Sequence, residues 1–497
     1  MALLLLLGLW GLVLLLGLWG LLRGSNQDLS SAPQWPPGPR PLPLLGNLHL
    51  LGVAQQDRAL MELSERYGPV FTVHLGLQKT VVLCGYEAVR EALVGTGQEL
   101  ADRPPIPIFQ IIQGVAHGVR IFFSSGARWR AARQFTVRVL HSLAVGQPSV
   151  ADKVLQELAC LTGQLDSYGG RPFPLALLGW APCNITFTLL FGRRFDYKDP
   201  VFLSLLSLID EVMVLLGSLG VQLFNAFPRM GALLQLHRPV LRKIEEVRAI
   251  LRTLLEAWQT PSPRDGPVQS YVEALLQQGQ ADAPEGLFAE ANVVACTLDI
   301  LMAGTETTAA TLQWAVLLMA KHPAIQDRMQ EELDRVLGPG RPPRPEDQRA
   351  LPYTSAVLHE TQRYITLLPH VARCTAVDTR LGGYLLPKGT PVIPLLTSVL
   401  LDKTQWETPD QFNPGHFLDA EGRFVKRAAF LPFSAGRRVC VGESLARTEL
   451  LLLFAGLFRR YRLLPPPEVS PAGLDTRPAL AFTMRPRAQT LCAMPRP

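Results

Sequence analysis

Hydrophobic and polar positions divide the chain into stretches of different period. Met1–Leu22 carries no charged side chain and is dominated by Leu, with Trp10 and Trp19. A run of that length spans a bilayer as a helix. It lacks the basic residues that precede a cleaved leader, so a retained anchor is expected. Trp35–Asn47 is rich in proline and reads as a stiff, extended spacer. Beyond it, β-rich runs at Val70–Leu75 and Thr80–Leu83 lie between helical patterns at Arg58–Tyr67 and Tyr86–Leu93. Together they predict a small sheet near the N-terminus. Residues 101–123 read as apolar and irregular, with Phe109, Ile111, Ile112, Phe122 and Phe123.

Residues 150–258 predict several amphipathic helices, among them Pro239–Trp258 with a Lys243/Glu246 pair. Val201–Phe227 is more apolar than its neighbours, as a membrane-dipping segment or a buried core would be. A punctuated connection, 259–286, contains a short helix near Tyr271–Gln278. Phe288–Lys321 is apolar on nearly every side and stops before His322-Pro323, the pattern of a helix through the middle of a protein. Asp299 and the run Gly304-Thr-Glu-Thr-Thr308 interrupt it, which argues against a second membrane span. Two more helices are expected at Tyr353–Tyr364 and Glu443–Phe454, and strands at Leu367–Val371 and Thr390–Pro394.

With 497 residues, 48% apolar and 18% charged, the chain has ample material for a large core. Its net charge is +6, with basic residues dispersed. That suits an anionic membrane surface or an acidic protein partner better than nucleic acid. Seven cysteines, an odd number, are scattered with no C-x-x-C, which argues against a disulfide framework or a zinc ribbon.

One of the seven stands apart. Phe433-Ser-Ala-Gly436-Arg437-Arg438-Val-Cys440-Val-Gly442 places Cys440 just before a helix start, where free N–H groups and the helix dipole favour a thiolate. A thiolate is the axial ligand that pushes electron density onto haem iron and favours O–O cleavage. Trp129 and Arg133, four residues apart, share a helix face and offer an aromatic donor and a guanidinium, a set suited to a carboxylate; a surface basic helix is the plainer alternative. Within the long apolar helix, Ala303 and Gly304 are small enough to let a flat cofactor approach. Thr307 there can bond the carbonyl of Ala303, one turn back, and Glu306 adds an ionisable group. Asp299 reads as a partner for a loop or for a basic ligand, and His370 as structural or substrate-touching. Glu360 and Arg363 meet at i, i+3. Asn184-Ile-Thr186 is the one N-x-[ST] sequon.

The F-x-x-G-x-R-x-C-x-G segment resembles the haem-binding signature of the cytochrome P450 superfamily, and the wider wording is most similar to microsomal family 2, subfamily W. The resemblance implies a mainly α fold with a small β portion, divided as anchor (1–22), linker and proline-rich hinge (23–47) and catalytic domain (48–497). It implies haem b held by Cys440 on the iron and cradled by Phe433, Arg438, Trp129, Arg133, Ala303, Arg103 and Arg373, with the arginines and Trp129 toward the propionates. Glu306 and Thr307 match its A-G-x-[DE]-T motif, the acid–alcohol pair that delivers protons. Glu360 and Arg363 match its E-x-x-R, a folding element whose third partner usually comes from P-x-R-F; here Pro414-Gly-His416-Phe417 stands instead. Residues 101–123 would roof the pocket, Leu480–Met484 would line it, and Arg128 and Arg130 would face a redox partner.

The implied activity is a membrane-bound monooxygenase. It would insert one atom of O2 into apolar small molecules such as lipids, retinoids, steroids, fatty acids or xenobiotics. Electrons would come from NADPH through a flavoprotein reductase, with cytochrome b5 as a further partner. A haem-thiolate isomerase or dehydratase needing no reductase, and a non-catalytic haem-binding membrane protein, are the alternatives. The implied location is the endoplasmic reticulum membrane with a cytosolic body. Because only Arg23 lies close behind the anchor, with Asp28 and Arg40 beyond, inversion to the lumen stays open, and Asn184 would then be a glycosylation site.

Overall fold

The computed structural model describes residues 35–52, 55–114, 121–145, 149–258, 268–280, 290–338 and 340–496. The expected anchor, Met1–Leu22, lies outside them. The chain forms two compact units, one from residues 1–104 with 370–398 and one from residues 105–369 with 399–497.

In the first unit, helix α1 (Gln56–Tyr67) lies beside a four-stranded sheet of β1 (Val70–Leu75), β2 (Gln78–Leu83), β3 (Arg373–Cys374) and β4 (Pro391–Pro394). The spatial order is β1-β2-β4-β3, with β2 and β4 parallel and the other pairs antiparallel. Phe71, Val73 and Val82 meet Leu60, Ile393 and Leu395 in its core. The proline-rich stretch does not stand free here. Thr72 donates its amide to Pro37 O (2.7 Å) and its hydroxyl to Pro36 O (2.9 Å). Buried Asn47 pairs with His74 through both backbone and side chain. The strand expected at Leu367–Val371 shrinks to one bridge, His370 to Leu395.

The second unit is helical. The helices that build the site are α2 (Pro107–Gly114), α3 (Gly126–Val145), α4 (Val150–Asp166), α5 (Trp180–Phe191), α6 (Pro200–Gly217), α7 (Leu219–Ala226), α8 (Arg238–Trp258), α9 (Glu290–Lys321), α10 (Pro352–Ile365) and α11 (Glu443–Arg460). Strands Pro172–Pro174, Tyr461–Leu464 and Thr490–Pro495 form a separate antiparallel sheet. Helix α2 falls where the sequence reads as irregular. Pro107 occupies its first position, where a missing N–H costs nothing, and Ile108 and Ile112 bury one face.

Helix α6 starts cleanly because Asp199 accepts from the amides of Val201 and Phe202 and Pro200 follows it. Phe202, Leu205, Ile209 and Val212 point into the core, while Val201, Leu203 and Val214, with Leu219 on α7, remain exposed. The segment thus has a buried core face and an exposed apolar face. Helix α9 is buried along its C-terminal half, from Leu312 through Ala320, apart from Gln313.

Candidate active site

The Cys440 loop is closed by backbone. Cys440 N–H donates to Phe433 O (3.1 Å) and Val439 N–H to Gly436 O (3.2 Å). Gly436 turns the loop at φ +69°, where a side chain is disfavoured. Gly442 caps α11 at an ordinary φ of −100°, and a Cβ there would project into open space. Cys440 is exposed, whereas Cys84, Cys183, Cys296, Cys374 and Cys492 are buried. It is nonetheless densely surrounded, as a side chain facing an interior cleft is. That crowding pushes the thiol up from its ordinary value and outweighs the Gly442 N–H and the Arg133 charge, which act the other way; Glu443 adds to the rise. The helix start alone does not make the thiolate. A bound metal ion does, because coordination deprotonates a thiol outright.

Helix α3 carries Trp129 and Arg133 one turn apart, and the Cys440 loop brings Arg438 to them. The Arg438 guanidinium lies over the Trp129 ring at 3.5 Å, and Arg133 Nη2 donates to Val439 O at 2.6 Å. Arg438 Nη2 donates to Ser124 O at 2.5 Å. Trp129 is buried, and among the described residues its Nε1 finds no acceptor. Leaving such a donor unpaired costs about 1–3 kcal/mol. A carboxylate placed there would satisfy it beside two guanidinium groups. These residues fit a haem propionate on that ground. Arg103 and Arg373 belong to the first unit, where they donate to Ala372 O (2.6 Å) and Val371 O (2.9 Å) respectively.

On α9, Thr307 Oγ1 donates to Ala303 O at 2.8 Å, as expected from the sequence. At Gly304 a Cβ would lie 2.7 Å from Thr186 Oγ1, so its smallness lets α5 and α9 touch. Glu306 is buried, and its Oε1 accepts from the Thr483 hydroxyl at 2.5 Å. Burial raises its pKa, against the opposing pull of that bond and of Arg485, whose Nη1 stands 3.7 Å from Oε2. Asp299 accepts from the amides of Ile121 and Phe122 at 2.9 and 3.2 Å, the loop-holding role.

Ala303, Glu306 and Thr307 line a cavity of about 800 Å³, part of it continuous with solvent. Its remaining wall is mostly apolar. Phe109 and Phe123 stack at 3.6 Å between ring centroids, and Phe122 and Phe482 complete an aromatic group. Within the stretch expected to roof the pocket, Phe109, Ile112, Phe122 and Phe123 line the wall and Ile108 and Ile121 are buried. Thr483 and Arg485 were not legible as partners of Glu306. The tail Leu480–Met484 does read as pocket lining, but nothing in it marks a bond to a glutamate 177 positions away.

Glu360 and Arg363 are fully buried and joined by a two-pronged pair at 2.7 and 2.8 Å. Arg363 also donates to the carbonyls of Leu400, Pro409 and Gln411. His416 takes the third place, its Nδ1 3.1 Å from Glu360 Oε2. The Thr408 amide donates to Nε2, so the proton sits on Nδ1 and a neutral ring serves. Asn184 is buried in α5, its amide donating to Glu157 (3.2 Å) and Phe195 O (2.8 Å) while its Oδ1 accepts from Phe195 N–H. In this folded form it has no room for a glycan. Attachment would have to precede folding and would displace those bonds. No cluster of three or more metal-ligating side chains occurs among the described residues.

A family model described as Cytochrome P450 matches residues 36–493. The chain is 80% identical over 493 residues to Cytochrome P450 2W1 of Mus musculus, covering 99% of each. It is 79% identical over 502 aligned positions to Cytochrome P450 2W1 of Homo sapiens, covering 100% of each. More distantly, it is 40% identical to Cytochrome P450 2K6 of Danio rerio over 92% of this chain and 90% of that one.

Proposed function

The chain belongs to the cytochrome P450 family, in its family 2 and subfamily W, and from that premise we propose that Cys440, Glu306 and Thr307 carry out its monooxygenase chemistry on apolar small molecules in the cavity beside α9. It is a haem-thiolate enzyme that uses haem b. Bound haem supplies an iron centre, with a sulfur ligand, that activates dioxygen. Cys440 would provide the sulfur, and Trp129, Arg133 and Arg438 would hold the propionates; Arg103 and Arg373 are further propionate candidates by the family resemblance alone. Ala303 and Phe433 would border the bound haem.

The remaining steps belong to the protein. The apolar wall excludes water and favours lipids, retinoids, steroids, fatty acids or xenobiotics. Thr307 holds a proton at Oγ1, and Glu306, whose pKa burial raises, replenishes it. The observation that carries this reading is that both members of the acid–alcohol pair line one mostly apolar cavity. Cys440→Ala is expected to abolish the red-shifted carbon monoxide band of the reduced protein, and survival of that band would remove Cys440 as the ligand.

Electrons come from NADPH through a flavoprotein reductase docking on the basic face that includes Arg128 and Arg130, with cytochrome b5 as a second donor. Met1–Leu22 anchors the chain in the endoplasmic reticulum membrane, and the exposed apolar side of α6 and α7 rests in the interface. The body faces the cytosol by family analogy. Treating protein from mammalian cells with endoglycosidase, beside Asn184→Gln, tests this. A mass shift abolished by the substitution places that fraction in the lumen.

A further inference from the structure

The two members of the acid–alcohol pair are held by different partners. Adjacent positions on a helix point about 100° apart, and here each member has its own partner. Thr307 bonds Ala303 O, while Glu306 reaches Thr483 with one oxygen and stands near Arg485 with the other. We infer that Thr483 and Arg485 are positioning residues that hold Glu306 turned away from Thr307, and that Asp210 on α6 sets how firmly they hold it. The inference rests on the reading of Glu306 and Thr307 as the proton-handling pair.

The segment that carries Thr483 and Arg485 is lashed on three sides. Phe482 N–H donates to Met213 O on α6 (2.9 Å), Trp314 Nε1 on α9 donates to Met484 O (2.7 Å), and Met484 N–H donates to Leu367 O (2.8 Å). Ala481 lies so close to α6 that a Cβ on Gly217 would be 2.2 Å from its carbonyl carbon. The segment therefore ties a wall of the cavity to the helix that bears the acid.

Arg485 is divided between two carboxylates through one nitrogen. Asp210 Oδ1 lies at 2.6 Å with its side chain 62% exposed, and Glu306 Oε2 lies at 3.7 Å with its side chain 8% exposed. The buried partner feels the guanidinium through less water, so small movements of Arg485 weigh on it heavily. Val212, Met213 and Leu216 of the same α6 line the cavity, so an occupant that shifts this wall also shifts Asp210. Seating of a substrate and release of the acid become one event.

The charged groups facing Glu306 are Arg485 and Asp210, and they act with opposite sign. That opposition is the test. In resting holoenzyme, without turnover, the infrared band of the protonated Glu306 carboxyl is isolated by subtracting the Glu306→Gln spectrum and followed against pH. Arg485→Met is expected to move the loss of the band to higher pH, Asp210→Asn to lower pH, and Arg485→Lys to fall between wild type and Arg485→Met. In turnover, Thr483→Val and Arg485→Met leave the acid unrestrained before a substrate is seated, so proton delivery no longer waits for the substrate and NADPH electrons should be diverted from product to hydrogen peroxide. Shifts of the same sign for Arg485→Met and Asp210→Asn, or no shift, in variants that retain the carbon monoxide band would overturn the inference. Full coupling in Thr307→Ala would instead overturn the reading of the pair itself, whatever the infrared shifts.

Discussion

Glu360 on α10 and Glu306 on α9 are both buried in the helical unit, yet their surroundings differ in kind. Glu360 meets a two-pronged Arg363, the Nδ1–H of His416 and the amide of Asn413 (2.8 Å). Every lone-pair direction is used. Glu306 has one hydroxyl and a guanidinium beyond hydrogen-bond range that is already committed to Asp210. A saturated carboxylate has one protonation state and one position, and it stiffens what it touches. A carboxyl left short of partners keeps both states within reach, which proton transfer requires. Burial alone does not distinguish a structural acid from a working one. The number of donors aimed at it does, once the acid also stands on the cavity wall, as Glu306 does.

Breaking the saturated site should have the largest effect. Arg363→Ala leaves Glu360 charged and buried and is expected to cost about 3–5 kcal/mol, seen as loss of soluble, haem-loaded protein. Glu306→Gln should fold normally, with Tm near wild type, while product formation falls by about 10²-fold or more if it supplies the proton. Thr307→Ala should leave substrate binding intact and raise peroxide per NADPH.

A third buried acid sharpens the contrast. Glu449 in α11 has an Oε1 with no partner among the described residues, and burial raises its pKa well above the carboxylate range. The folded chain then binds a proton that the unfolded chain has released, so the contribution of Glu449 to stability falls as pH rises from the ordinary carboxylate value toward the raised one. Glu449→Gln should flatten that decline in a series of Tm against pH. The smallest change is expected from His416→Leu, which removes one donor from Glu360 while the Arg363 fork remains. A loss of about 1–2 kcal/mol in denaturant unfolding would match one buried hydrogen bond.

Local signals carried much of this into view from the sequence. The period of α9, the Cys440 loop, the Thr307 bond to Ala303 and the Lys243/Glu246 pair at 3.2 Å all depend on near neighbours in the chain. What stayed hidden depends on distant ones. Gly304 is small because Thr186 lies against it, and Glu306 is held by a segment almost at the other end of the chain. Helix α2 was masked by Pro104, Pro105 and Pro107, which mark a break but equally mark a first turn. The thiol of Cys440 depends on how many atoms crowd it, and no motif counts those.

The docked prolines have a bearing on solubility. β1 is an edge strand, and an open edge recruits other chains into intermolecular sheets. Here Pro36 and Pro37 occupy the position a foreign strand would take, accepting from Thr72 while offering no N–H of their own. Gly38 allows that contact, since a Cβ there would fall 1.9 Å from Thr72 O. A version trimmed of its anchor should therefore begin before Trp35. Trimmed after Asn47, it would carry a bare, adhesive strand and gather into aggregates however sound its haem pocket.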